Sequence, residues 1–155
     1  MVGAHSRSRA GVFTGTARTP RARLEERSLA ATASELLDLV GLGGLSKRLA
    51  GDLTLVDERR LELARCLAGD PKVLLLDEPA AGLGDREADD LAVLIDRLRT
   101  ERGVAVILIE HHLEMALGVA DQVTVLDFGV VIARGSPAEV RTDARVIEAY
   151  IGSSV

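Results

Sequence analysis

The sequence has few aromatic residues and almost no cysteine. Aromatic residues make up 2% of its 155 positions, tryptophan is absent, and the one cysteine is Cys66. A chain so poor in aromatic residues must build its core from Leu, Val, Ala and Ile. Cys66 lies in a helical pattern between Arg59 and Leu67. A small buried hydrophobic residue is expected there, and the sequence gives no sign of disulfides or thiol chemistry.

Features of nucleic-acid binders and membrane proteins are also missing. The formal net charge is −5 and no groove-reading motif occurs, whereas nucleic-acid binders usually carry a basic face. No apolar run approaches the roughly 18 residues of a membrane span, and the N-terminus has no secretory h-region. We therefore expect a soluble cytoplasmic protein.

The most informative stretch that is present runs from Lys72 to Pro79, KVLLLDEP. It ends an apolar strand in two adjacent carboxylates, Asp77 and Glu78. A strand this apolar is predicted to be buried on both faces, as in parallel sheets, where functional groups collect at the carboxyl ends of strands. One carboxylate there can hold Mg²⁺, and the next can orient a water for attack on a phosphate. The alternative is a buried strand that ends in two solvated acids, which is common in α/β domains.

A second apolar strand, Val104 to Ile109, follows after a predicted helix and ends in Glu110, His111 and His112. One helix plus one strand is the crossover that places the next parallel strand beside the first. We therefore expect Glu78 and His111 to face the same ligand crevice.

Four segments together resemble the ATP-binding cassette (ABC) ATPases, and most of all the ATP-binding subunits of branched-chain amino acid importers. They are VLLLDEPAAGL at 73–83, RRLELARCLAGDP at 59–71, ILIEHHLEMA at 107–116 and VLDFGVVIARGSPAEVRTDARVIEAYIG at 125–152. The last segment is the most specific. The resemblance implies an α/β fold, the C-terminal portion of a P-loop NTPase (RecA-like) cassette. Residues 1–70 would belong to the helical subdomain and residues 71–155 to the C-terminal half of the ATPase core.

The same resemblance implies cofactors, partners and roles for the strand ends. ATP and Mg²⁺ are the implied cofactors, with Asp77 on the metal, Glu78 polarising the attacking water and His111 contacting the γ-phosphate. The implied partners are a second cassette subunit and membrane permease subunits, at the cytoplasmic face of the inner membrane. No nucleic acid is implied.

The phosphate-binding loop of such cassettes, Gly-x-x-x-x-Gly-Lys-Ser/Thr, is missing. Lysine occurs only at Lys47 and Lys72, and neither follows the required glycines. Because phosphoryl transfer depends on positioning and electrostatics, we expect the chain alone to be inactive. The segment from Met1 to Leu24 is rich in arginine and contains no Asp or Glu. It resembles part of the helical subdomain, and an organelle transit peptide is the minor alternative.

The signature segment departs from the family pattern. ABC ATPases place a Leu-Ser-x-Gly-Gln type sequence at a helix N-terminus, where it meets the γ-phosphate of ATP on the opposite subunit. The aligned residues here are Leu53 to Asp57. Thr54 keeps the hydroxyl, but Val56 replaces the glycine, and its Cβ obstructs close backbone approach. Asp57 replaces the glutamine and either repels phosphate or caps the following helix, which we favour.

Two further positions have alternative roles. Asp85 can act in the D-loop of the ATP site only with a one-residue shift, and a role as N-cap of the helix beginning near Glu87 is equally favoured. His112 falls where the family usually has Asp and is expected at the surface. A zinc site shared with His111 is disfavoured because adjacent side chains diverge.

Periodicity predicts the remaining elements. Helices are expected at 24–40, 57–67 and 87–99, with a hairpin of strands 123–126 and 130–133 around Asp127-Phe128-Gly129. Pro137 is placed to start a helix, and a closing helix is expected around 146–151. In the helix at 87–99 one face carries Leu91, Leu94, Ile95 and Leu98, as a helix covering a sheet should.

Two functions are compatible with these observations. The first is an ATP-hydrolysing subunit of a branched-chain amino acid importer, present as a fragment without its phosphate loop. The second is a non-catalytic, truncated cassette that pairs with another cassette or with a permease. Val56 favours the second, whereas the retained Asp77, Glu78 and His111 favour the first.

Overall fold

The computed structural model describes the backbone of residues 20–152 and the side chains of residues 23–150. Most of the arginine-rich N-terminal segment therefore lies outside the described residues. The elements in chain order are α1 (Pro20–Leu39), α2 (Leu55–Leu67), β1 (Val73–Asp77), α3 (Asp85–Arg102), β2 (Ala105–Ile109), α4 (Leu113–Val119), β3 (Val123–Asp127), β4 (Val130–Gly135), α5 (Pro137–Arg141) and α6 (Ala144–Gly152). Short 3₁₀ turns at Gly43–Leu45 and Ala50–Asp52 join α1 to α2.

The chain divides into two compact units. Within the described residues, the first contains 20–75 and 102–107, and the second contains 76–101 and 108–152. In the first unit α1 packs against α2. The buried residues here are Leu36 of α1, Val40 just after it, and Leu63, Ala64 and Leu67 of α2.

Strands β1 and β2 are hydrogen-bonded neighbours. The Ala105 N–H donates to the Lys72 carbonyl at 3.0 Å, and the Glu78 N–H donates to the Ile109 carbonyl at 2.9 Å. Since both sequence numbers rise together along the pair, the strands are parallel. The predicted crossover, β1 to α3 to β2, is thereby confirmed.

The prediction that β1 is buried on both faces is wrong. Its residues alternate, with Leu74 and Leu76 buried and Val73 and Leu75 exposed. Ile107 of β2 is exposed as well. Successive strand residues point to opposite faces, and only one face of this pair is covered by the residues that the structure describes. An apolar sequence permits burial on both faces but cannot supply the second covering layer.

The predicted helices form, with shifted ends. α3 begins two residues earlier than expected, and its predicted stripe is buried: Leu91, Leu94, Ile95 and Leu98. α2 likewise begins at Leu55 rather than at Asp57. The expectation that Cys66 is buried is wrong, because its thiol is free and exposed. The buried stripe of α2 runs through Leu63, Ala64 and Leu67, and Cys66 lies beside it.

The C-terminal half of the second unit is a hairpin with two helices packed on it. Phe128 and Gly129 have φ of 44° and 80°, and their two-residue loop joins β3 to β4 as predicted. A register shift at Val125/Leu126 marks a bulge. A hydrophobic cluster holds the helices in place: Leu117, Ala133, Val140 and Val146.

Helix α5 begins at Pro137, as the sequence predicts, and a capping box fixes its start. The Ser136 hydroxyl accepts from the Glu139 N–H at 3.4 Å, and the Glu139 carboxylate accepts from the Ser136 N–H at 2.7 Å. The Glu139 carboxylate accepts from both the Ser136 N–H and the Ser136 hydroxyl, and these two hydrogen bonds hold the pKa of Glu139 below its usual value. The closing helix α6 follows, two residues longer at its start than predicted.

Candidate functional site at the strand ends

The chain leaves β1 through a strained residue. Glu78 has a φ of 44°, in the left-handed region that side chains with a Cβ rarely adopt. Its N–H donates to the Ile109 carbonyl at 2.9 Å, and its own carbonyl accepts from the Ala81 N–H at 3.0 Å. Hydrogen bonds therefore hold the backbone on both sides of Glu78 in this strained conformation. Strained residues of this kind cluster at functional sites.

Asp77 precedes this turn as the last residue of β1. Its carboxylate is exposed, and among the residues that the structure describes it makes no hydrogen bond or ion pair. A free carboxylate beside a strand end is a hard oxygen ligand of the kind that Mg²⁺ prefers. No group of three or more His, Cys, Asp or Glu side chains within residues 23–150 is arranged to hold a metal by itself.

His111 lies next to Glu78, as the crossover predicts. Its Nδ1 is 3.5 Å from Glu78 Oε1, and the two side chains are 73% and 51% exposed. The contact brings the carboxylate that follows β1 to the histidine that follows β2. Both groups stay open to solvent, so a ligand can reach them.

Glu110 is a member of this group that the sequence analysis missed. Its side chain has no exposed surface, and its Oε1 accepts from the Ala80 N–H at 2.9 Å. Its Oε2 is buried 4.0 Å from His111 Nδ1, and it has no hydrogen-bond partner in the part of the chain that the structure describes. A buried acceptor that makes no hydrogen bond lowers the stability of the fold, so packing alone does not account for a glutamate at position 110. Its sequence signal is an acid that follows an apolar strand directly.

Asp85 is not the N-cap of α3, which was one of the two roles that the sequence left open. Helix α3 begins at Asp85, one residue after Gly84. The Gly84 carbonyl accepts from the Ala88 N–H at 2.9 Å, and the Gly84 N–H donates to Glu87 Oε2 at 3.0 Å. Gly84 therefore occupies the cap position, and the Asp85 carboxylate is left to approach His112 Nε2 at 3.3 Å.

His112 is half-buried rather than a simple surface residue. It is the N-cap of α4, where its Nδ1 accepts from the Met115 N–H at 3.4 Å. With the proton on Nε2, one tautomer satisfies both this hydrogen bond and the contact with Asp85. The two histidines therefore have different surroundings, and only His111 faces Glu78.

The histidine loop, residues 110–112, also contacts the C-terminal helix. The Tyr150 hydroxyl donates to the His111 carbonyl and accepts from the Leu113 N–H, the latter at 3.1 Å. The sequence analysis missed this contact, although Tyr150 is the only tyrosine of the chain. The separation of the partners along the chain hides it from any local pattern.

The signature residues Thr54 and Val56 belong to the first unit, and the other predicted site residues belong to the second. Thr54 is the N-cap of α2 and accepts from the Asp57 N–H at 3.2 Å. Asp57 therefore does not cap this helix, because α2 starts at Leu55 and Asp57 is the third helical residue. Its carboxylate still lies in the first turn, where negative charge is favourable. Val56 is half-buried in the same turn.

Two protein families match the chain. The family described as "ABC transporter" matches residues 3–81. The family described as "Branched-chain amino acid ATP-binding cassette transporter" matches residues 130–155. Together the matches include β1 with its two carboxylates and the C-terminal helices.

Curated relatives agree. The chain is 39% identical over 154 residues to the high-affinity branched-chain amino acid transport ATP-binding protein BraF of Pseudomonas aeruginosa. It is 36% identical over 154 residues to LivG of Escherichia coli, which has the same description. Each match covers 99% of this chain but 60% of the relative, so the chain spans less than two thirds of the relatives' length.

Solved structures with the same fold are ATP-binding cassettes. The ADP conformation of MJ1267, an ATP-binding cassette of an ABC transporter, superposes with a TM-score of 0.73 at 31% identity, over 81% of this chain and 50% of that one. A nucleotide-free ATP-binding cassette from an ABC transporter gives 0.71 at 28% identity, over 88% and 58%. The expected fold class, part of a P-loop NTPase cassette, is thereby confirmed. The chain belongs to the ATP-binding cassette family of ABC transporter ATPases.

Proposed function

We propose that this chain supplies the metal-binding and water-orienting side of the ATP site in an ABC importer subunit for branched-chain amino acids. The observation that carries the proposal is the contact between Glu78 and His111, 3.5 Å apart at the ends of neighbouring parallel strands. Ligands of open α/β sheets bind at such strand ends. Asp77, with its free carboxylate, lies immediately before Glu78.

Asp77 is the residue that would hold Mg²⁺. One protein carboxylate is enough, because Mg²⁺ completes its coordination with water and substrate phosphates rather than with a protein cage. The ion, when bound, neutralises charge on the phosphates during transfer. The exposure of Asp77 leaves its oxygens available for this role.

Glu78 would orient the attacking water. Its backbone is in the left-handed region, and half of the side chain is open to solvent. A carboxylate in this position accepts a hydrogen bond from water and fixes the line of attack on phosphorus. His111, with its imidazole beside Glu78, would contact the γ-phosphate.

Thr54, Val56 and Asp85 would complete the site through subunit pairing. The Thr54 hydroxyl already accepts from the Asp57 N–H, but its proton can still be donated to phosphate. Val56 would present its backbone N–H at the start of α2, with its Cβ limiting close approach. Asp85 would contribute from the start of α3. In this assignment residues 1–70 belong to the helical subdomain and residues 71–155 to the ATPase core.

The chain alone would not hydrolyse ATP. Its sequence contains no Gly-x-x-x-x-Gly-Lys-Ser/Thr loop, so the backbone amides and the lysine that hold the phosphates are missing. Hydrolysis of MgATP by the purified chain would therefore be no faster in the wild type than in Glu78→Gln. Turnover by the wild type that Glu78→Gln abolishes would contradict the expected inactivity.

The relatives support the proposed solute and partners. BraF and LivG are both described as branched-chain amino acid transport proteins, and the C-terminal match carries the same description. The partners would be a second cassette subunit and permease subunits at the cytoplasmic face of the inner membrane. Within residues 20–152 no helix is long and apolar enough to cross a membrane, so attachment would depend on the permease.

An uptake assay tests the solute. A relative described as a sulfate/thiosulfate import ATP-binding protein is 39% identical over 123 residues, so sulfate is the informative competitor. In cells whose own cassette subunit is deleted, expression of the permease with this chain fused behind an importer cassette segment that carries the Gly-x-x-x-x-Gly-Lys-Ser/Thr loop should raise leucine uptake and leave sulfate uptake unchanged. A change in sulfate uptake alone would reject branched-chain amino acids.

The second candidate function is a non-catalytic module that pairs with another cassette or a permease. The capping bond on Thr54 and the Cβ of Val56 favour it, because both reduce what the signature segment can offer to a phosphate. In that case Glu78→Gln would leave transport by the assembled importer unchanged. A loss of transport in this variant would reject the non-catalytic module.

A further inference from the structure

The C-terminal helix is tied to the histidine loop by one side chain. The Tyr150 hydroxyl donates to the His111 carbonyl and accepts from the Leu113 N–H. Leu113 is the first residue of α4, and the first N–H of a helix has no acceptor within that helix. Tyr150 therefore satisfies two backbone groups on either side of His112.

Tyr150 extends from a helix that is itself firmly held. Val146 of α6 is 1% exposed and packs in the cluster with Leu117, Ala133 and Val140. Residues four apart on a helix share a face, so Tyr150 follows Val146 on the side that faces the rest of the unit. Helix α6 also packs on β4 and on α5. The hydroxyl is thereby presented from a fixed support.

The other end of the histidine loop is fixed by Glu110, whose side chain is fully buried and accepts from the Ala80 N–H. Between these two attachments the His111 side chain is 73% exposed, so little of its surface is packed against other residues. The position of its imidazole relative to Glu78 therefore depends on the backbone that carries it.

We propose that Tyr150 is a positioning residue for His111: its hydroxyl sets the backbone from which the imidazole reaches Glu78. The C-terminal helix that the branched-chain amino acid family match includes is thereby coupled to the ATP site. The inference rests on the proposed function for what His111 does, but the effect of Tyr150 on the loop does not require ATP. Failure of the role of Tyr150 and failure of the proposed function can therefore be recognised separately.

The test is an NMR comparison of the full chain with Tyr150→Phe, which keeps the ring and removes the hydroxyl. In the variant the Leu113 amide should exchange with solvent about tenfold faster. The imidazole signals of His111 should also shift. Thr142→Ala is the matched control, because the Thr142 hydroxyl donates to the carbonyls of Ala138 and Glu139 in the same C-terminal segment. It should leave both readouts unchanged.

Unchanged Leu113 exchange or unchanged His111 signals in Tyr150→Phe would overturn the proposal. The Val140 amide, bonded to the Ser136 carbonyl at 3.0 Å, reports whether the variant is folded. If it is not folded, the wild type decides, since a nuclear Overhauser effect between the Tyr150 ring and the Leu113 amide is expected. Its absence would overturn the proposal as well.

Discussion

The buried carboxylate of Glu110 accepts a hydrogen bond from the Ala80 N–H at 2.9 Å, although the two residues are 30 positions apart. Ala80 follows β1 and Glu110 follows β2, so this bond joins the two loops that carry Glu78 and His111. The second oxygen of Glu110 is buried 4.0 Å from His111 Nδ1, and among the described residues it has no hydrogen-bond partner. The candidate site is therefore held together by a residue that does not itself face solvent.

Removal of the Glu110 carboxylate should expose the importance of this bond. Glu110→Ala leaves the Ala80 N–H without its acceptor, and the free energy of unfolding should fall by about 1–3 kcal/mol. Glu110→Gln keeps an oxygen that can accept from the Ala80 N–H and replaces Oε2 with an amide nitrogen. It should therefore lower the free energy of unfolding by less than Glu110→Ala does. Urea unfolding of both variants measures the difference, and equal losses would show that the bond to Ala80 does not matter.

The left-handed conformation of Glu78 predicts an unusual stability effect. Glu78→Ala removes the carboxylate but keeps a Cβ at a φ of 44°, whereas Glu78→Gly removes both. The glycine variant should be more stable than the alanine variant by about 1 kcal/mol, because glycine adopts positive φ without steric cost. Urea unfolding again gives the comparison. An alanine variant as stable as the glycine variant would mean that the turn is not strained.

Thr54 should behave as a helix cap. Thr54→Ala removes the acceptor of the Asp57 N–H, bonded at 3.2 Å, and should lower the free energy of unfolding by about 1 kcal/mol. Thr54→Ser keeps the hydroxyl and is the matched control, expected to unfold like the wild type. If alanine and serine gave the same unfolding midpoint, the hydroxyl would have no capping role.

The start of α6 should respond to acid. Hydrogen bonds from the Arg145 side chain and backbone lower the pKa of Asp143 from 3.8 to about 2. Because the folded-state pKa is depressed, this contribution to stability is complete above the unfolded value and is lost as the pH falls through the folded one. Between pH 3.8 and about 2, the wild type should therefore lose more stability than Asp143→Asn. Urea midpoints at several pH values test this, and parallel curves would contradict it.

The features that the sequence predicts correctly depend on long, repeated patterns. The stripe of Leu91, Leu94, Ile95 and Leu98 indicates α3 regardless of where its ends lie. The two apolar strands separated by that helix require a parallel crossover, which brings His111 to Glu78. In the hairpin, Gly129 in the turn indicates where the chain reverses.

The features that the sequence does not predict depend on which of two nearby side chains caps a helix or becomes buried. Thr54 rather than Asp57 caps α2, and Gly84 rather than Asp85 precedes α3, because a shift of one or two residues in a helix start changes which N–H groups need partners. Glu110 follows its strand just as Glu78 follows β1, yet one is buried and the other is half-exposed. Burial is set by the covering residues, and no local pattern reports them.

The central claim is that this chain supplies the metal-binding and water-orienting side of the ATP site. Its most direct test adds the phosphate-binding loop that the sequence lacks. A fusion of this chain behind an importer cassette segment that carries the Gly-x-x-x-x-Gly-Lys-Ser/Thr loop restores the phosphate-gripping residues. Magnesium-dependent ATP hydrolysis by this fusion is the measurement, with Glu78→Gln as the variant and Glu62→Gln, on the outer side of α2, as the matched control. We predict hydrolysis that the control retains and that Glu78→Gln lowers by about 100-fold or more. A folded fusion that does not hydrolyse ATP, or hydrolysis that is insensitive to Glu78→Gln, would contradict the account.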